Sequence, residues 1–561
     1  MSTSFDGLEV HRTPKISIDK TPETSGTNWN FTKAVYIRMA GKKTPKKNQS
    51  RSHQKNAKLS SSERRAVLVR ATRHVIENTQ LKFRYDSLRC EYLVVVELAE
   101  MLVDMAEDLH CEIGLWAAYE KYNLEVFGTE LPLTFCNTDV PPCALHPDRF
   151  CHFLWVMYPV LIDGLMLNPD HHDLRLMAAE CSRFLSSEFS KLPKTSTRYE
   201  LLQTPNDRGW DVKRKLVWLG TNSYLFRRMF KDYMAEQGVS VADIPHTDDF
   251  ICMQWTQWSG MAAIDVLARV LDLSPDDFAD LTSWYERHAA YYRIVSPGRA
   301  VIQALNLVSD QNYSIRMDQE NQFVKGMTLF ASLIPWRGEW YWSGEQNSFE
   351  NPGALNLSDM KQMLIRKSSQ IVCRYDLVYR VQVIQRMAAV HADSLAYFCG
   401  DLVSFPDGLA MASAFEMELQ HQWNSKPQEQ VKDVMLKHGL EDGRPKMNLP
   451  REITDHSDGV GVFLNPAEGK EIMIHFTSLL SALKQTDDVL TEDQERSVRG
   501  FLTSSSISPA FVQRLLTEYG DQVVRQVFIL KGEVPPYWLD YFLRRYKGKY
   551  FRQRYPALSL I

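Results

Sequence analysis

Residues 333–346 read LIPWRGEWYWSGEQ, four Trp and Tyr side chains set around two glycines with charges of both signs between them. In an extended strand successive side chains alternate between faces, so Trp340 and Trp342 share one side and Tyr341 takes the other. Arg337-Gly338 supplies a turn between Trp336 and Trp340. Two tryptophans on one face would fill a barrel of few strands, with Trp336 lidding the same core. Packing is the first reading of Trp336, Trp340 and Trp342. A peptide- or protein-binding face is the second, and a platform for nucleic-acid bases the third.

Upstream, the stretch that begins RAVIQALNLV at Arg299 alternates in places, is rich in β-branched and aromatic residues, and carries turn signals at Ser309-Asp310 and Asn321. Four or five short strands within about fifty residues imply a small antiparallel β-barrel over 294–350, with the period changing from helical at Pro297. Before it, 62–293 reads as a helical domain. Its clearest stripe is Leu98, Leu102, Met105 and Leu109 in CEYLVVVELAEMLVDMAEDLHCEIGLWAAYEKYNLEVFG, spaced as one helix face with Gly128 as the stop. After the barrel, 351–445 is helical again. Residues 446–561 combine a hairpin, DGVGVFLNPAEGKEIMIHF (458–476), with further helices. The fold class expected is α+β: a mainly helical multi-domain protein with an inserted small barrel and a C-terminal hairpin-and-helix region.

A chain of 561 residues exceeds what one hydrophobic core usually serves, which predicts three or four folding units. Residues 1–61 are polar and hold too few large apolar side chains to offset ordering entropy, so a mostly disordered arm is expected there. Its stretch KKTPKKNQSRSHQKNAK (42–58) has seven Lys/Arg and no acid; without it the net charge of −4 becomes −11. A cationic arm on an acidic body suits a polyanion or docking on the body itself. The nine scattered cysteines read as small buried hydrophobes in a reducing compartment, and no signal peptide is visible, so a cytoplasmic location is expected. A bilayer-spanning helix needs about 20 apolar residues. FCHFLWVMYPVLIDGLML (150–167) is broken by Pro159 and carries Asp163, and reads as a buried helix; no membrane partner is expected.

Three short motifs, in this order, resemble one bacterial domain-of-unknown-function family over roughly 80–561. They are IPWRGEWYWSG, SDGVGVFLNPAEGKEI and YFLRRYKGKYFRQRYPALSLI. The resemblance implies a fold and transfers no catalytic residue.

Chemistry-bearing motifs are sparse. There is no Gly-x-Ser-x-Gly, Walker loop, Rossmann fingerprint or His-Glu-x-x-His, the patterns by which nucleophile, phosphate and zinc sites announce themselves. Cys136, Cys143, His146 and Cys151 lack the paired Cys-x₂₋₄-Cys knuckle that aims two thiolates at one ion, and Asp170 to Asp173 (DHHD) reads as a loop or helix cap. Glu416, Glu418 and His421 could cluster on a helix, though exposed charged faces are far commoner. No catalytic residue, cofactor or metal is assigned. The best nucleic-acid signal is 541–561, where Arg544, Arg545, Lys549 and Arg552 alternate with tyrosines and phenylalanines, cations for phosphates beside rings for stacking. The competing reading, which is preferred, is a terminal helix docked through its aromatics. The expected function is a non-enzymatic binding or scaffold protein for a macromolecule. The alternatives are an RNA- or ribosome-associated factor using 42–58 and 541–561, and an enzyme of unrecognised class.

Overall fold

The computed structural model describes residues 60–129, 141, 143–162, 168–285, 290–307, 310–317, 323–349, 377–425, 427–429, 431, 449–485, 489–528 and 538–552. Glu9–Val67 is a unit apart from the rest, and of it only the first turns of α1 (Ser61–Gln80) are described. The arm at 42–58, Cys136, Asp163 and the last residues of the chain from 553 lie outside the described residues.

Helices follow α1 in close succession: α2 (Tyr92–Cys111), α3 (Leu115–Phe127), α4 (Pro147–Leu161), α5 (His172–Phe189) and α6 (Thr197–Leu202). Then come α7 (Gly209–Asn222), α8 (Arg227–Glu236), α9 (Ile244–Met253), α10 (Ala263–Val270) and α11 (Pro275–Ser283). Leu98, Leu102, Met105 and Leu109 are all buried, so the periodic stripe is the core face of α2. The start of α3 is capped from the helix before it. Asp108 accepts the Leu115 and Trp116 amides at 2.9 and 2.8 Å and the Tyr224 hydroxyl at 2.7 Å, satisfying donors that a helix start leaves orphaned. Helix α4 is buried over most of its length, from Arg149 to Tyr158 and at Leu161, and carries Pro159 in its last turn. Among the described residues no helix is long and apolar enough to cross a membrane.

The barrel comprises β1 (Ala290–Pro297), β2 (Val301–Asn306), β3 (Asn312–Arg316), β4 (Thr328–Trp336) and β5 (Glu339–Phe349), closed in the order β1-β2-β3-β5-β4. It starts at Ala290 rather than at 294, because Tyr291, Tyr292 and Ile294 already pair as strand residues with β4 and β2. Its pairs are antiparallel except for β3 with β5, which close the barrel in parallel at Ile315 and Trp340. Tyr292, Ile302, Tyr313, Leu333 and Trp342 fill the interior. Arg337 and Gly338 both have positive φ, the conformation of a two-residue hairpin turn that follows strand twist.

The C-terminal part contains α12 (Leu377–Phe398), β6 (Leu402–Phe405), α13 (Gly408–Asn424), α14 (Arg451–Thr454), β7 (Val460–Asn465) and β8 (Gly469–Ile474). It ends with α15 (Phe476–Lys484), α16 (Glu492–Thr503), α17 (Pro509–Tyr519), α18 (Gln522–Val527) and α19 (Trp538–Lys547), followed by a 3₁₀ turn, Gly548–Phe551. The expected hairpin gains β6 as a third antiparallel strand. One sheet face packs Val460, Val462 and Ile472 on Met411 and Phe415 of α13. The other sends Phe463 and Met473 into the main core, which runs on through α19 and back to α2 and α4. The helical domain and the C-terminal region thus share one core rather than forming separate ones.

Candidate functional site

The basic-aromatic segment turns inward. In α19, Trp538, Tyr541 and Phe542 are buried, and so are Arg544, Arg545 and Lys547. Trp155 of α4 packs on Tyr541 in a tilted contact at 4.5 Å and meets Phe542 edge-on at 5.7 Å. Arg544 pairs with Asp540, donates to the Thr129 carbonyl, and lies 4.4 Å over the Phe127 ring. Lys547 donates to the carbonyls of Ser504 and Ile507, both at 2.8 Å; burial pushes its pKa down to about 7. Beyond the helix, Arg552 pairs with Asp265 and lies 4.2 and 4.4 Å over the rings of Trp255 and Tyr285. Aromatic rings from distant elements, and carboxylates for Arg544 and Arg552, thus take Arg544, Arg545 and Arg552 into the body, the arrangement of a docked terminal helix rather than of a face turned to phosphates. Lys549 is half-buried beside the Tyr550 ring at 5.1 Å, and Arg552 is likewise not fully buried. An RNA surface here would rest on Lys549 and on residues outside those described.

Arg545 differs from its neighbours. It is 4% exposed, and its Nε and Nη1 are buried without a hydrogen-bond partner. Among the described residues no carboxylate pairs with it; its guanidinium lies against the rings of Trp155 and Tyr546, at 5.2 and 4.9 Å. It lines a cleft with Tyr119, His152, Ser259, Tyr541 and Arg544, with Gln257 at the exposed edge. The cleft spans about 200 Å³, including the part that opens to solvent.

Distant elements meet here because backbones approach closely. Gly260 and Gly548 press against each other, and a Cβ on either would overlap the other's main chain. That contact sets the 254–262 loop, and Ser259 with it, beside the C-terminal 3₁₀ turn. Residues with side chains at these two positions could not make it.

The polar groups of the cleft form one chain with a fixed proton order. Asn123 donates its amide to the Tyr119 carbonyl at 2.9 Å, so its oxygen faces Ser259 and accepts that hydroxyl at 2.9 Å. Ser259 has one proton and has spent it, so it accepts from Tyr119 at 3.2 Å. Tyr119 in turn accepts from His152 Nε2 at 2.9 Å, which leaves Nδ1 as the acceptor of the Tyr541 hydroxyl at 2.6 Å. A neutral imidazole has one donor and one acceptor nitrogen, and both are used. Burial, then the charges of Arg545 and Arg544, push the His152 pKa down to about 3; burial also raises that of Tyr119. The imidazole is thus a weak base, and Ser259 is bonded to an amide rather than to a base. The arrangement lacks the nucleophile–base pair that covalent catalysis needs. What it offers is positive charge in a low-dielectric pocket with hydroxyls around it.

The other residues singled out in the sequence fall elsewhere. Trp342 is buried inside the barrel, and its interior neighbour Tyr292 meets it edge-on at 5.7 Å. Trp340 sits half-buried at the rim against Tyr313 at 4.9 Å. Trp336 does not lid the barrel: strand alternation turns it outward, where its indole donates to the Asn206 carbonyl at 2.9 Å and packs on Trp284. Tyr341 also faces out, so close over Gly209 that a Cβ there would strike its ring. Ser343 and Gly344, which end the motif, dock the barrel on α7 and α9. The Ser343 hydroxyl bonds Asp248 at 3.2 Å and receives the Lys213 ammonium at 3.0 Å, while Lys213 and Asp248 form a buried ion pair. The Asn-Pro hairpin likewise has an architectural use. Asn465 bonds Glu471 at 2.5 Å, and Glu471 accepts the Ser508 amide at 2.6 Å at the start of α17.

Glu418 is buried against Lys470 at 2.7 Å, while Glu416 and His421 are exposed, so no acid–base cluster forms. His146 caps α4 and His171 caps α5, while Cys143 is exposed and Cys151 buried. Sequence reasoning passed over Tyr119, His152 and Ser259, which look like ordinary helix and loop residues until the fold joins them.

No protein-family model, no curated protein and no solved structure matches the chain.

Proposed function

We propose that this is a non-enzymatic binding protein that receives a carboxylate group in the cleft at Arg545. One observation carries the reading: a guanidinium taken out of water with Nε and Nη1 unpartnered and, among the described residues, no acid paired with it. A buried donor left unmade costs about 1–3 kcal/mol, and a charge more, so a native protein that retains such a group has a reason to. A carboxylate supplies the charge and the acceptors at once. The low basicity of His152 and the engagement of Ser259 by Asn123 support recognition over chemistry. The free thiols of the described cysteines support a reducing, cytoplasmic setting. The likeness to a bacterial domain-of-unknown-function family travels with this proposal and adds no residue to it.

The test is ligand-dependent stability. Acetate, and separately a short peptide rich in Asp and Glu, is titrated against the wild-type protein and Arg545→Met, with ionic strength constant. Stabilisation of the wild type that saturates and is absent in the variant supports the reading. A stronger response to the peptide assigns the carboxylate to a macromolecular partner, and an equal response to a small acid. A wild type indifferent to both overturns it.

A further inference from the structure

The C-terminal sheet gathers a second group of functional side chains. His456 and Asp458 lie between α14 and β7, and His475 follows β8. Pairing of Val460 with Ile474 brings these two ends of the strand pair together. One donor atom from each of His456, Asp458 and His475 lies within 4.8 Å of the other two. His475 Nδ1 and Asp458 Oδ2 are 3.4 Å apart. Two donors bound at about 2.0–2.1 Å to a tetrahedral ion stand about 3.3 Å apart, so this spacing already matches coordination.

The surroundings hold the three in place. Ser478 donates its hydroxyl to Asp458 Oδ2 at 2.6 Å, the outer bond that orients a ligating carboxylate. The two imidazoles meet edge-on at 4.2 Å. His475 has φ 57° and ψ 33°, a left-handed backbone that side-chain-bearing residues adopt at a cost and that gathers where function requires it. Gly459 is packed so tightly on Thr477 that the loop carrying Asp458 has little room to move. The His475 amide donates to His456 Nε2 at 2.9 Å, so this ring carries its proton on Nδ1 and its Nε2 lone pair is held by the amide. An ion takes that lone pair from the amide, and because all three residues are only half-buried, the freed amide finds water.

We propose that His456, Asp458 and His475 bind a divalent transition-metal ion, Zn²⁺ foremost, with the remaining positions left to water or a ligand. Two imidazoles and one carboxylate suit Zn²⁺, Co²⁺ or Ni²⁺, whereas Ca²⁺ and Mg²⁺ want oxygen cages. The site is independent of the Arg545 cleft.

The protein is stripped with chelator and titrated with Co²⁺, followed by visible d–d absorption, then competed with Zn²⁺. One Co²⁺ per chain, displaced by Zn²⁺, is expected. Two variants accompany it. His475→Gly removes a ligand while relieving the left-handed backbone, which glycine adopts freely, so it should melt no lower than the wild type. Asp458→Asn removes the charge but keeps an acceptor for Ser478. Both should weaken Co²⁺ binding by more than the roughly tenfold loss that follows removal of an outer-shell partner. A wild type that takes up no Co²⁺, or a folded His475→Gly that binds as well as wild type, overturns the proposal.

Discussion

Replacing Arg545 with methionine should change stability in opposite directions depending on what fills the cleft. The side chain is buried, two of its donors lack partners, and it rests on two aromatic rings. Without ligand, methionine of similar length removes two unmet donors worth about 1–3 kcal/mol each, and gives up two cation–π contacts worth about 0.5–2 kcal/mol each. The balance favours the variant by about 1–2 kcal/mol, in line with the neutral-to-stabilising outcome of exchanging buried ions for packed hydrophobes. With acetate at a hundredfold excess over its Kd, the wild type gains about 2.7 kcal/mol by mass action and the variant gains nothing. The order of stabilities should then reverse. Urea unfolding of both proteins across an acetate series, at fixed ionic strength, reads this directly. If Arg545→Met is the less stable protein at every acetate concentration, including none, the guanidinium serves packing alone and the carboxylate reading fails.

Within the barrel, Trp342→Ala should cost about 3–5 kcal/mol, as for a buried Trp, whereas half-exposed Trp340→Ala should cost clearly less; equal losses on denaturation would contradict the assignment of interior and rim. Asp248→Ala strands the buried Lys213 ammonium and should destabilise by about 3–5 kcal/mol, with a double variant that also carries Lys213→Met recovering much of the loss. The Lys547 pKa falls from 10.5 unfolded to about 7 folded, so between pH 7 and 10.5 the unfolded chain binds the extra proton. Stability should rise with pH across that window, by about 5 kcal/mol for a shift of this size. Below pH 7 the penalty is fully present and flat, and Lys547→Met should erase the slope.

The fold class was readable because it rests on periodicity. The stripe from Leu98 to Leu109 had only one way to be buried, and alternation around Trp340 and Trp342 marked a strand. Trp336 shows the limit. Its type says that it packs, but its partner is Asn206, 130 positions away, and nothing local distinguishes the barrel interior from the helical core. The barrel start was missed at Ala290 because Tyr291 and Tyr292 suit a buried helix as well as a strand. The tail shows the same limit for charge. Six cations among aromatics look alike whether they face phosphates or protein rings, and the rings that decide it, Phe127, Trp155 and Trp255, lie hundreds of residues upstream. The cleft was illegible for that reason: Tyr119, His152 and Ser259 sit in different elements and gain meaning only beside Tyr541 and Arg545.

The bond between His152 and Tyr541 spans 389 residues, which gives the cleft a history as well as a geometry. At about 5–20 residues per second, a ribosome finishes α19 about 20–80 s after it has made His152, a wait set by that 389-residue span. During that interval α4 presents Trp155 and the Nδ1 face of His152 with no helix to cover them, a sticky surface on a nascent chain. Closure by α19 ends the exposure and forms the cleft in the same event. A chain that stops short of residue 538 therefore loses more than a helix: it remains adhesive where the finished protein closes its cleft.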